Sequence, residues 1–401
     1  MKRYNNYHKH TCMSNIRSLD CVVQPIEYIK RAKELDNENA IYFTTEHGWQ
    51  GDIFSAYTLC KEHNVKMIVG AEVYYVEDRL EKDKTNYHLV MIAKNEDGRK
   101  DLNRILSESN KSGFYYKPRI DNELLFSVNP NNLIITSACV AGRLRNEEGL
   151  DGWILQMKNF FKKNFYLEVQ NHNEETQKNH NRKILNLSKK YDIEIIHAND
   201  SHYIYKEDAK YRDLFLKAKG IVYEDESTFI LDYPTYDEIV ERYRLQGVLS
   251  DEDIERSLKN TLIFDDFKGV VINDEIKMPH ICEDPKQELR DIINKEWSER
   301  EMHEVDENRI DEYLDAIREE MKVIEDTNMS EYFVLDYKIM KRGKEKYGGV
   351  LTRTGRGSAP SFYINKLLRF TDIDRLSSSV KLFPSRFMST TRILETKSLP
   401  D

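Results

Sequence analysis

Residues 40–76 read AIYFTTEHGWQGDIFSAYTLCKEHNVKMIVGAEVYYV. Two apolar runs, 40–45 and 66–76, are rich in Ile, Val and Tyr and enclose a stretch of helical period at 51–63. Short β-type runs bounded by polar residues read as strands, and the 3.6-residue period between them reads as an amphipathic helix. The unit repeats on both sides. Further strands are expected at 89–93, 133–138, 165–170 and 193–198, and further helices at 25–36, 97–109, 150–163 and 174–190. Repeated β-then-α units imply an α/β fold with a parallel sheet, either a barrel or a doubly wound sheet.

Past the sixth strand the pattern changes. Residues 206–262 read mostly helical, with a turn near YPTYDE at 233–238. Pro279 and Pro285 bracket a polar linker, and 286–327 reads as a charged, solvated helical pair. From 331 onward the chain is basic and Gly-rich: 331–401 carries +7, and the other 330 residues carry −16, giving a net charge of −9. The overall charge argues against a general nucleic-acid surface, and the basic end suggests an anionic ligand met there. No apolar run approaches the roughly 20 residues of a membrane span, and no signal peptide is readable. Five scattered cysteines without a CxxC fit a reduced, cytoplasmic setting.

The strand ends carry the chemistry. YFTT runs into Glu46-His47-Gly48, MIVG into Ala71-Glu72, IITSA into Cys139, and EIIHAN into Asp200-Ser201-His202. In α/β folds the loops at the carboxyl ends of the strands converge on one mouth. His88 leads into its strand instead of following it. Near the start, YHKHTCMSN (7–15) places His8 and His10 two residues apart, on one face if extended. His, carboxylate and one Cys together suit Zn²⁺, Mn²⁺ or Fe²⁺. Singly each residue has an ordinary reading, as a turn residue, buried filler or core histidine; jointly they point to a metal site. His63, His172, His180, His280 and His303 show no such pattern.

Taken in order, HKH…D, TEHG, GAE, NYH, TSAC and NDSHY resemble the PHP (polymerase and histidinol phosphatase) domain. The version they most resemble opens bacterial C-family replicative DNA polymerases, the DNA polymerase III alpha subunits. FYYKPRID (114–121) and 49–76 add to the likeness. The resemblance implies a distorted β/α barrel in which nine side chains bind up to three metals. Here those positions are His8, His10, Asp20, His47, Glu72, His88, Cys139, Asp200 and His202. Two points depart from the family pattern. Glu46 stands where Asp is usual, and the spacing from His10 to Asp20 is longer. The implied chemistry is metal-dependent phosphoester hydrolysis, specifically a 3′–5′ exonuclease.

Near the end, VLTRTGRGSAPSFYINKLL reads as strand, glycine turn and helix. Gly355 and Gly357 allow close backbone approach to an anion, and Arg356 and Ser358 can bind phosphate oxygens at the opening of the helix. YFVLDYKIMKRGKEKYGG, GRGSA, TDID, LFPSRFM and SLPD again resemble the polymerase, at the opening of its α+β palm. The resemblance implies that GRGS contacts the incoming triphosphate. It also makes Asp401 the first of three carboxylates that hold Mg²⁺. Asp372 and Asp374 fall on a structural turn of the family. The expected organisation is a PHP domain at 1–275, a helical linker and start of palm at 276–330, and a partial palm at 331–401. The expected partners are DNA primer-template, dNTP, the remainder of the polymerase and, through that remainder, the sliding clamp. This chain alone is expected not to extend a primer. Two other readings stay open: a free-standing PHP phosphoesterase acting on a small phosphate ester, and a non-catalytic structural module.

Overall fold

The computed structural model describes residues 2–16, 21–221, 229–273, 277, 279–352, 354 and 357–396. The backbone forms two compact units, Met1–Ile272 and Asn273–Asp401.

The first unit is built on eight strands: β1 Ile41–Thr44, β2 Lys66–Tyr75, β3 Tyr87–Ala93, β4 Phe114–Tyr115, β5 Lys117–Ile120, β6 Leu133–Thr136, β7 Phe165–Val169 and β8 Ile195–His197. Their order is β4-β5-β2-β3-β6-β7-β8, with β1 also on β2. The sheet is mixed, which corrects the all-parallel expectation. β3 runs antiparallel to both β2 and β6, whereas β1–β2, β2–β5, β6–β7 and β7–β8 are parallel. A direct β2–β3 connection over residues 76–86 contains no helix, so the chain reverses where a βαβ crossover would have kept its direction.

The N-terminal segment curls the sheet toward closure. Ser201, just past β8, donates its N–H to the His8 carbonyl at 3.2 Å and accepts from the His10 N–H at 2.8 Å. On the other side the Thr45 hydroxyl, just past β1, lies 2.8 Å from the Tyr7 carbonyl and 2.9 Å from that of Lys9.

Two-residue alternation divides the strands between two cores. On β2, Met67, Val69, Ala71, Val73 and Tyr75 face the outer core with the helices, and Ile68 faces the interior. β3 does the same with Leu89 and Met91 outward and Val90 and Ile92 inward. The helices Pro25–Leu35, Ile53–Glu62, Glu96–Lys111, Leu150–Phe161 and Glu175–Tyr191 cover the outside, where the sequence placed them within a few residues.

The second unit is helical. Pro285–Glu299, Ile310–Asp326, Ser330–Tyr347, Tyr363–Leu367 and Thr390–Thr396 surround one apolar core that includes Leu289, Ile293, Trp297, Tyr313, Ile317 and Phe333. The pair at 286–327 is therefore not merely solvated; each helix buries an apolar stripe. No strand occurs among the described residues of this unit, and Val350–Thr352 are irregular rather than extended into the expected strand.

Candidate metal centre

Because side chains alternate along an extended segment, His8 and His10 turn to the same side. Lys9 turns the other way, into the outer layer: it is 2% exposed, with its amine 3.8 Å from the Tyr42 ring centroid, 4.8 Å from that of Tyr28 and 3.8 Å from Glu46 Oε1. Glu72 occupies an inward position of β2, and His47, just past β1, forms a bridge to it. Cys139 follows β6, and Asp200 and His202 follow β8. His88 precedes the bulk of its strand because β3 is antiparallel: it pairs with Tyr74, near the carboxyl end of β2. Its odd position in the sequence is thus a direct consequence of strand direction.

Eight of the nine expected ligands come together. His8 Nε2 lies 3.3 Å from Glu72 Oε1 and 3.4 Å from Asp200 Oδ1. His10 Nε2 lies 3.1 Å from Asp200 Oδ1 and 3.7 Å from Glu72 Oε2. His88 Nδ1 is 2.7 Å from Glu72 Oε1, and His47 Nδ1 meets Glu72 Oε2. His202 Nε2 is 3.4 Å from Asp200, and Cys139 Sγ is 3.6 Å from His88 Nδ1. Three triads result, each with its donor atoms within 4.8 Å of one another: His10–His47–His202, His8–His10–Glu72, and Glu72–His88–Cys139. Glu72 belongs to two of the triads, with Oε1 nearest His8 and His88 and Oε2 nearest His10 and His47. The ninth residue, Asp20, lies outside the described residues.

The donor set fits divalent cations. His8 Nε2, His10 Nε2, Glu72 Oε1 and Asp200 Oδ1 are buried and make no well-aligned hydrogen bond, although His88 Nδ1 approaches Glu72 Oε1 to 2.7 Å and His10 Nε2 approaches Asp200 Oδ1 to 3.1 Å. Buried polar atoms are normally bonded, and convergent exceptions call for an ion. Metal–ligand bonds of about 2.0–2.1 Å give tetrahedral ligand–ligand edges of about 3.3–3.4 Å. The 3.1–3.4 Å separations of the histidine nitrogens from the carboxylate oxygens in this set lie close to that value.

The charges agree. Burial alone would raise the Glu72 carboxyl, but His88 and His47 hold it well below the usual carboxylate range. Burial would likewise raise Asp200, and His8 and His10 hold it low. Burial, with His47 beside it, lowers His10 to about 4, so it is a neutral donor. Burial, then Asp200 and Glu72, push the Cys139 thiol up, so a thiolate here needs a cation to offset those two carboxylates.

Supporting groups went unread in the sequence. Ser14 Oγ donates to Glu46 Oε2 at 2.5 Å, accepts the His47 N–H at 3.1 Å and lies 3.2 Å from His10 Nδ1. Glu46 also accepts from the Thr11 N–H and hydroxyl at 2.9 and 2.7 Å. The longer carboxylate in place of Asp is thus fully bonded. Cys21 Sγ is 3.5 Å from His202 Nδ1, and Glu168 on β7 holds His8. Only Glu168 left a trace: a lone carboxylate inside the apolar run FYLEV.

The anion site expected near the chain's end is different. Gly355, Arg356 and Asp401 lie outside the described residues. Gly357 and Ser358 form a turn, with Gly357 at φ +62°. The helix beyond is only Tyr363–Leu367, and the N–H groups of Tyr363 and Ile364 are already bonded to Glu320 at 3.0 and 2.9 Å. That helix end therefore does not face a phosphate as the sequence suggested. Asp374 accepts from the Tyr313 hydroxyl at 2.6 Å and from the Leu376 N–H at 2.8 Å, a structural role.

Among families, the PHP domain matches residues 6–172, and the bacterial DNA polymerase III alpha NTPase domain matches residues 287–401. DNA polymerase III subunit alpha of Aquifex aeolicus is 28% identical across the whole of this chain and 36% of its own length. That of Borreliella burgdorferi is 28% identical across the whole chain and 35% of its own length. The Thermus aquaticus subunit is 30% identical over 53% of this chain and 18% of its own. The chain thus spans about a third of the length of the relatives that match it throughout. Among solved structures, a Bifidobacterium adolescentis protein assigned as a metal-dependent phosphoesterase is 13% identical. It covers 60% of this chain and 98% of its own, with a TM-score of 0.33. No helix among the described residues is long and apolar enough to cross a membrane. The chain thus carries a PHP domain pattern with a metal-binding site, followed by a stretch of the DNA polymerase III alpha NTPase domain pattern, and is similar along its whole length to DNA polymerase III alpha subunits.

Proposed function

We propose that the first unit is a metal-dependent 3′–5′ exonuclease serving a cytoplasmic replicative DNA polymerase. The observation that carries this reading is the convergence of His8 and His10 from the N-terminal segment with Glu72 of β2 and Asp200 past β8, through buried ligand atoms that make no well-aligned hydrogen bond. His8, His10, His47, Glu72, His88, Cys139, Asp200 and His202, with Asp20, are the proposed ligands. Imidazole, carboxylate and a single thiol favour Zn²⁺ or Mn²⁺, with Fe²⁺ also compatible. When bound, such ions neutralise phosphoryl oxygens and lower the pKa of water. The chain's own groups orient them. Glu72 spans two triads, Ser14 and Glu46 fix His10 and His47, and the imidazoles of His10 and His47 stack at 3.7 Å.

The second unit belongs, in this reading, to DNA synthesis by the complete polymerase. Gly355, Arg356, Gly357 and Ser358 would contact the triphosphate of a dNTP, and Asp401 would be one Mg²⁺ ligand. DNA primer-template, the rest of the polymerase and a sliding clamp would be its partners. The relatives' name and the residue pattern support this.

A 3′-labelled single-stranded primer tests the nuclease. The chain should shorten it from the 3′ end with Mn²⁺ or Zn²⁺, and chelator or His10→Ala should stop it. Hydrolysis of small phosphate monoesters with DNA left intact would instead favour a phosphoesterase of small substrates. Metal binding without either activity would favour a structural module.

A further inference from the structure

We infer that Glu168 is a positioning residue that makes His8 the strongest imidazole donor of the cluster, so that the ion held by His8, His10, Glu72 and Asp200 binds first. The inference rests on the cluster holding metal. It concerns which part of the cluster fills, and why.

Glu168 sits in the middle of β7 and is fully buried. Each carboxylate oxygen accepts two hydrogen bonds. Oε1 takes His8 Nδ1 at 2.8 Å and Gln170 Nε2 at 2.9 Å; Oε2 takes the Tyr7 and Thr136 hydroxyls, both at 2.8 Å. A carboxylate has about four acceptor positions, so these donors saturate it and leave it no place as a ligand itself. A buried charge is costly, and no Lys or Arg among the described residues is paired with this one. A purely structural role would not need the charge, because hydroxyl and amide donors can be satisfied by neutral groups.

What the charge does is specific to His8. Bonded to Glu168, Nδ1 carries a proton, so the nitrogen left to bind an ion is Nε2, which faces Glu72 and Asp200. A carboxylate behind a ligating histidine fixes its tautomer and raises its basicity. The other histidines are braced differently. His10 Nδ1 meets a neutral hydroxyl, Ser14, at 3.2 Å, and His202 Nδ1 meets the Cys21 sulfur at 3.5 Å. His47 and His88 direct Nδ1 at Glu72, which is itself a ligand. His8 is thus backed by a carboxylate outside the cluster, whereas the Nδ1 atom of His10 meets a neutral hydroxyl.

The test is a zinc titration of the full, chelator-stripped chain, with histidine side-chain ¹⁵N resonances as readout. The first equivalent should move His8 and His10 ahead of His88 and His202, and His8 should show Nδ1–H throughout. Glu168→Gln should weaken the tightest zinc site by about 10–100-fold. Thr136→Val, which removes a donor to the same carboxylate without touching His8, should lower stability and leave zinc affinity unchanged. If Glu168→Gln fails to fold, the order of filling in the unaltered chain still decides. Filling that begins at His88 or His202, or equal affinity in Glu168→Gln and the unaltered chain, overturns this inference alone. Failure to bind zinc at all overturns the metal reading on which it rests.

Discussion

Stripping metal from the chain should destabilise its first unit by an amount that the centre's geometry bounds. Four ligand atoms there make no well-aligned hydrogen bond, though some lie close to one another or to His88 Nδ1: His8 Nε2, His10 Nε2, Glu72 Oε1 and Asp200 Oδ1. A buried polar group left unsatisfied costs about 1–3 kcal/mol, so the four together set an upper range of about 4–12 kcal/mol. Water entering the mouth reduces that figure, since the Asp200 side chain is 13% exposed. Mass action gives an independent figure: an ion at about 100 times its Kd adds about 2.7 kcal/mol. For a unit of this size each kcal/mol moves Tm by about 2–4 °C, so chelation should lower Tm by about 5–11 °C per site filled. Differential scanning calorimetry with and without chelator measures this, and returning Mn²⁺ or Zn²⁺ should restore the loss. His10→Ala should sit near the chelated value and respond little to either ion. His63→Ala, at the end of a helix away from the cluster, should respond as the unaltered chain does. A chelator-independent Tm, or an equal metal response in His10→Ala, would refute the reasoning.

Burial lowers His180 to about 4 and His197 to about 3. The unfolded chain therefore binds more protons below about pH 6.5, and each residue should remove about 1.4 kcal/mol of stability per pH unit as the pH falls from there toward its folded value. His180→Gln should flatten the fall in Tm between pH 6.5 and 5, and an unchanged slope would contradict this. A Cβ on Gly142 would lie 2.2 Å from the Ser137 carbonyl oxygen and 3.0 Å from that of Cys139. Gly142→Ala should therefore displace the Cys139 loop and reduce bound metal, measurable by elemental analysis of the purified protein. In the second unit, Glu320→Ala strands the Arg375 guanidinium and two helix N–H groups, and loss of such a buried partner should cost about 3–5 kcal/mol by urea unfolding.

How legible the molecule was in its sequence follows from which interactions are local. Strand and helix positions in the first unit were readable because side-chain period is a local property: Met67, Val69 and Ala71 face one core and Ile68 the other. Strand direction was not, because it depends on what the connection spans. The segment between β2 and β3 holds no helix, and that one fact turns β3 around and brings His88 to the mouth with the ligands that follow their strands. The ligand types could be read off strand ends; the groups that brace them could not. Ser14 and Cys21 look like any loop residues, and their contacts with His47 and His202 form only when the chain returns from more than 30 positions away. Charge misled in the second unit. Residues 286–327 are so rich in Asp, Glu, Lys and Arg that they read as solvated, yet a stripe of Leu289, Ile293, Trp297, Ile317 and Ile324 suffices to form a core. The same unit shows why a glycine turn before a helix is weak support for an anion site. A helix end offers N–H groups only while nothing in the protein has taken them, and Glu320, about 40 residues upstream, has taken two. Any triphosphate contact at GRGS must then come from the turn's own backbone and side chains. Ser358→Ala should weaken dNTP binding by the complete polymerase, while changes at Tyr363 or Ile364 should act on stability alone.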